Sequence, residues 1–336
     1  MLKIILLAVF CFILIFSSNV KPQVLDTPFG KVEFIGLHNW KAQQLYDSIR
    51  SINPTKPIVG CAYEITSKLG FAGASVVIVQ WTEKEKYSIV TVVEPQYKSG
   101  VKYLDTQKGG MLLNPKWVLL KQIFSKDDGH FQAAVKCYYD IKFRSTDDKT
   151  LMTVKAFNKI SGDYQTVWDE LSSINTFNDF EFALSTIKSD SGYVNRIMAV
   201  ASLINWADSD SFFISVIDCL RDNDARVSEM AREVLIYCAN SVKRHVDWSN
   251  GIKSLRYIID GTNLFAFTST LELLTATKIS PALAPDLLKN GGDLVMGYLK
   301  ANRPQERKIA YNFLVQISGK DFGYDASKWQ EWINSL

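Results

Sequence analysis

IDCLRDNDARVSEMAREVLIYC, residues 217 to 238, spells two helices and the turn between them. An apolar helix ends at Leu220, and Asp222-Asn223-Asp224 follows as a short acidic turn. Val227, Met230, Ala231, Val234, Leu235 and Cys238 then recur at i, i+3, i+4 and i+7, the spacing of one buried helical face. Asp224 is placed to cap the second helix, because its carboxylate can accept from first-turn N–H groups that lack a helical partner. Each helix carries an apolar stripe that it cannot bury alone. The hairpin therefore needs neighbours.

The C-terminal half supplies them. The small-x-x-x-Leu core of the second helix returns as Ala199/Leu203, Ala231/Leu235, Ser269/Leu273 and Ala310/Leu314. Successive copies lie roughly 30–40 residues apart, the period of stacked helical pairs. The motif around Leu220, Asp222, Asp224, Val227 and Ala231 resembles that of the HEAT-repeat (armadillo-like) family: a leucine, an acidic turn, then Val-Arg ahead of an alanine. Arg196 and Arg307 stand at the family's arginine position, three before the alanine, whereas Ser228 and Ala266 stand there in the second and third copies. The resemblance implies an α-helical solenoid over about half the chain, with a surface for protein binding and no cofactor. Lys243-Arg244-His245 is a small basic cluster at a helix C-terminus, where the dipole favours cations. Arg196, Arg307, Lys243 and Arg244 are the candidate partner contacts. Beyond Gly319, Asp325 caps a last short helix with Trp329, Trp332 and Ile333 on one face, which suits a terminal element covering an open end.

The N-terminal half reads differently. Gln23 to Lys31 is a loop in this reading, and Val32–Leu37 (VEFIGL) a strand. Ala42, Leu45, Tyr46, Ile49 and Ile52 follow helical spacing until Asn53-Pro54-Thr55-Lys56-Pro57 ends the helix. Cys61, Ile65 and Leu69 mark a second helix, stopped by Gly70. Two β-branched runs, Ser75–Trp81 and Tyr87–Glu94, follow as strands. This β-α-α-β-β order, with LGFAGASV entering the first of those strands and VVEP closing the second, is similar to a POTRA-type domain over residues 32–95. That likeness implies an envelope module that binds partner chains at a strand edge or groove.

Between the halves, Asn114-Pro115 opens a helix with Trp117, Leu120 and Phe124 on one side. From Phe131 two patterns compete. Phe131, Ala134, Val135, Tyr138 and Ile141 fit a helix, while Val135, Cys137, Tyr139, Ile141 and Phe143 fit a strand; Ala133-Ala134 favours the helix. Ser145-Thr146-Asp147-Asp148 is a turn in either case, and Tyr164, Val167, Trp168 and Leu171 mark a further helix.

Lys3 followed by thirteen apolar residues, Ile4 to Phe16, has the form of a secretory signal peptide, with an uncleaved anchor as the alternative. No later segment is apolar for the ~18 residues a spanning helix needs. The resulting division is 1–22 leader or anchor, 30–96 small α+β domain, 97–175 mostly helical connector and 176–336 HEAT-like repeats with a cap helix. Cys61, Cys137, Cys219 and Cys238 would meet an oxidising compartment and could pair in three ways, Cys219 with Cys238 among them. Their apolar settings favour free core thiols.

Chemistry is scarce. His38, His130 and His245 belong to no metal or catalytic motif, and no nucleophile elbow, P-loop or dinucleotide fingerprint occurs. A net charge of +3 with both signs interspersed argues against a nucleic-acid surface. The expectation is an exported, non-catalytic protein-binding scaffold, periplasmic or envelope-associated and bacterial, whose partner is an envelope or secreted protein. The alternative is an enzyme with its site in residues 97–175 or at the domain junction, where His130, Tyr138, Tyr139 and Asp140 are the acid–base residues on offer.

Overall fold

The computed structural model describes residues 23–336 except 56, 83–84, 106, 144–161 and 290. The expected leader and the turn at 145–148 lie outside the described residues. The protein is mostly helical, with a small four-stranded mixed sheet near its N-terminus.

The sheet comprises β1 (Gln23–Thr27), β2 (Gly30–Ile35), β3 (Gly73–Trp81) and β4 (Lys86–Val93), in the order β1-β2-β4-β3. β2 runs parallel to β4 and the other pairs are antiparallel. A parallel pair needs a crossover. Here α1 (Ala42–Ile52), α2 (Ala62–Ser67) and β3 provide it. β1 corrects the expected loop over Gln23–Lys31. Its hairpin turns through Pro28-Phe29 into Gly30, whose φ of +108° suits glycine, and Thr27 Oγ1 donates to the Gly30 carbonyl.

Strand alternation sends Val32 and Phe34 to one face, where they form a core with Leu45, Ile49 and Ile65 of α1 and α2. The other face carries Ile35, Tyr87, Ile89 and Val93, which join the core of the helical half. The sheet is thus covered on both sides and is continuous with the helices that follow.

The connecting region holds α3 (Val118–Lys126), α4 (Asp128–Phe143) and α5 (Asp163–Ser173). Asn114 caps the one-turn 3-10 segment Pro115–Trp117 that leads into α3. The competition at Phe131 is resolved as a helix, with Phe131, Ala134, Val135 and Tyr138 buried.

Then come the pairs α6 (Phe177–Ser189) and α7 (Tyr193–Leu203), α8 (Asp210–Cys219) and α9 (Ala225–Ser241), and α10 (Ile252–Ile259) and α11 (Phe267–Ala276). Further on are α12 (Ala284–Leu288), α13 (Asp293–Leu299), α14 (Pro304–Ser318) and α15 (Ala326–Asn334). Caps sit where the residue types place them. Thr176 and Asp179 form a capping box on α6, Asp224 accepts from Arg226 N, and Asp325 accepts from Ser327 N and Lys328 N. Gly319 ends α14 in the left-handed region. α7, α9, α11 and α14 pack in succession, each on the next. Ala199, Ala231 and Ala310 are fully buried within this row. Trp329 is fully buried, with its indole N–H on the Gly323 carbonyl at 2.8 Å, and Trp332 and Ile333 are buried beside it.

Candidate functional site

The arginine position of the first hairpin is structural. Arg196 is 3% exposed; its Nε and Nη2 meet the two Asp222 oxygens at 2.9 and 3.0 Å, and Nη1 reaches the Asp190 carbonyl at 2.8 Å. This corrects the expectation of a partner contact, because a guanidinium so enclosed offers nothing to solvent. Arg307 is half-buried, with its guanidinium 5.6 Å from the centre of the Tyr324 ring. Arg244 pairs with Asp210 and lies over Phe213, while Lys243 is exposed just beyond the end of α9. The four cations do not form one patch built on a common element.

Two extended stretches, residues 101–105 and 107–114, lie across the turns of three hairpins. Lys102 N donates to Thr262 Oγ1 at 2.9 Å, in the turn between α10 and α11. Arg221 Nε donates to the Lys102 carbonyl at 3.0 Å and Leu104 N to the Arg221 carbonyl at 2.7 Å, in the turn between α8 and α9. Gly109 N donates to the Ser189 carbonyl at 2.9 Å, Leu112 N to Asp190 Oδ2 at 2.5 Å, and Asn195 Nδ2 to the Leu112 carbonyl at 2.9 Å. This strap satisfies backbone groups at each successive turn.

α4 covers another part of the helical row. Tyr139, fully buried, donates to the Ala201 carbonyl at 2.9 Å, and Lys136 pairs with Glu233 at 3.1 Å. A groove of about 540 Å³ is open between β3 and the helices α9, α11 and α14. Val59, Val77 and Phe265 are 38%, 40% and 46% exposed at its mouth. Arg232 on α9, held by Glu229 and Glu233, and Glu306 on α14, paired with Arg303 at 3.3 Å, give the apolar groove charged walls. β3 is an edge strand, and among the described residues no backbone group pairs with its outer side.

The acid–base residues considered for an enzyme are dispersed among packing roles. His130 lies 3.5 Å from Asp163 and packs edge-on against Tyr164. Tyr138 donates to Asn205 Oδ1 at 2.6 Å and packs edge-on against Trp168. Burial pushes the phenols of Tyr138 and Tyr139 above their ordinary range. No group of three His, Cys, Asp or Glu side chains that could hold a metal occurs among the described residues. Cys61, Cys137, Cys219 and Cys238 are free thiols.

A second cleft, of about 680 Å³, lies where the sheet meets α10 and α13. Its central residue, Asp260, belongs to no motif legible in the sequence. The one signal available was an acid directly ahead of a glycine at the end of an apolar helix, which reads equally as a turn. No protein-family model matches this chain, and no curated protein is similar to it.

Proposed function

We propose that the protein is an exported, non-catalytic scaffold that binds another protein, with α7, α9, α11 and α14 as the spine of a HEAT-like helical solenoid. The observation that carries this reading is the groove beside β3. An unpaired strand edge is a template for a further strand, and here it opens on exposed valine and phenylalanine side chains. An extended segment of the partner would gain main-chain hydrogen bonds from β3 and lay alternate apolar side chains against Val77 and Phe265. The strap and α4 occupy other faces of the helical row and leave this one for a second chain. The N-terminal apolar run fits export, which makes the partner an envelope or secreted protein.

The test is in-cell photo-crosslinking from position 77 and from position 265 of a C-terminally tagged chain, followed by mass spectrometry. The reading expects one dominant protein crosslinked at both positions and lost in Val77→Lys, with the far-ultraviolet circular dichroism of that variant unchanged. The same capture from positions on the opposite face, or undiminished capture by Val77→Lys, would refute it.

A further inference from the structure

Asp260 stands deep in the cleft between the sheet and α10. Its side chain is 14% exposed. Among the described residues its carboxylate accepts no hydrogen bond, and its nearest cation, Arg256 one turn earlier on α10, stays 3.8 Å away with half of its own side chain in solvent. The backbone closes around it. A Cβ at Gly291 would lie 2.4 Å from Asp260 Oδ1, and one at Gly100 would lie 2.9 Å from Asp260 Cβ. Two glycines therefore let the chain approach this carboxylate from two sides and leave the third side facing the cavity.

A carboxylate largely taken from water, and met only by a half-exposed arginine at 3.8 Å, keeps much of its desolvation penalty. A cation entering the cleft would remove that penalty. At the exposed rim of the cleft stand Asp286 and Asp293, the latter close enough for its charge to act on Asp260, and Lys253, a second cation beside Arg256. His38 and Tyr97 pack together at 4.7 Å on one wall, and Val93 and Leu294 supply apolar surface for a short alkyl chain. The volume of about 680 Å³ is that of a small-molecule site.

We propose that this cleft binds a primary alkylammonium group, whose charge pairs with Asp260 and Asp293 and whose carbon chain lies against Val93 and Leu294. The same ammonium is carried by free small amines and by lysine side chains. Arg256 is then a competitor for Asp260, and its removal strengthens binding. The site is independent of the groove beside β3, so either reading can fail alone.

Isothermal titration with n-butylammonium and with the peptide acetyl-Gly-Lys-Gly-amide tests it. Saturable binding of either probe is expected near neutral pH, and the tighter of the two identifies the source. Binding should weaken by about tenfold or more between pH ~7.5 and pH ~5, as Asp260 takes up a proton. Asp260→Asn should abolish it, and Arg256→Gln should tighten it. No heat from either probe, undiminished binding by Asp260→Asn, or weaker binding by Arg256→Gln would each overturn the proposal. So would acetate binding that depends on Arg256, because the cleft would then be an anion site.

Discussion

Arg196 and Asp222 form a two-pronged ion pair between consecutive hairpins, with side chains 4% and 1% exposed. Removing one partner strands the other charge in the core, so Arg196→Ala or Asp222→Ala should lower stability by about 3–5 kcal/mol. Replacing both with apolar residues of similar size should cost less than the sum of the single changes. Urea denaturation of the four proteins checks this.

Gly109 lets the strap touch the first hairpin, since a Cβ there would lie 2.3 Å from the Ser189 carbonyl oxygen. Gly109→Val should lift the strap from the turn between α6 and α7. Limited proteolysis is expected to cut the variant faster within residues 101–114, with the helical half still resisting.

Asp260 gives stability a pH dependence. Burial, with Asp293 adding to it and Arg256 opposing, raises its carboxyl from an ordinary 3.8 to about 6. The folded chain therefore holds this proton more tightly than the unfolded chain. That contribution favours folding at low pH and declines as pH rises through the window between those two values. The melting temperature of the wild type minus that of Asp260→Asn should fall across that window and level off above it.

Burial raises the thiols of Cys219 and Cys238, and Cys61 is fully buried. In native protein these three should resist a thiol reagent at mildly alkaline pH, while half-buried Cys137 reacts slowly. All four should react once the chain is unfolded without reductant. A shortfall of two would reveal one disulfide, and peptide mapping would show whether it joins Cys219 to Cys238.

The hairpins were legible because their order is local. Val227 to Cys238 repeat at the helical period, and Asp224 and Asp325 announce the helix starts they cap. β1 was missed because QVLDT is half exposed and makes an edge hairpin with little apolar signal. The strap has no period at all, since its backbone bonds run to turns that follow far later in the chain. Arg196 looked like a surface cation because its buried partner, Asp222, belongs to the next hairpin. Of the candidate sites, the β3 groove needs α9, α11 and α14 assembled against the sheet, and Asp260 becomes distinctive only when Gly100 and Gly291 close on it.

Glu33 on β2 is wholly buried, accepting from the Tyr87 hydroxyl at 2.7 Å and from the backbone N–H of Asn302 at 2.5 Å, 269 positions later. A ribosome delivers β2 long before it delivers Asn302. Until the last hairpin emerges, the nascent chain cannot settle this carboxylate or bury the second face of its sheet. Completing the packing of the sheet must therefore wait for the end of synthesis.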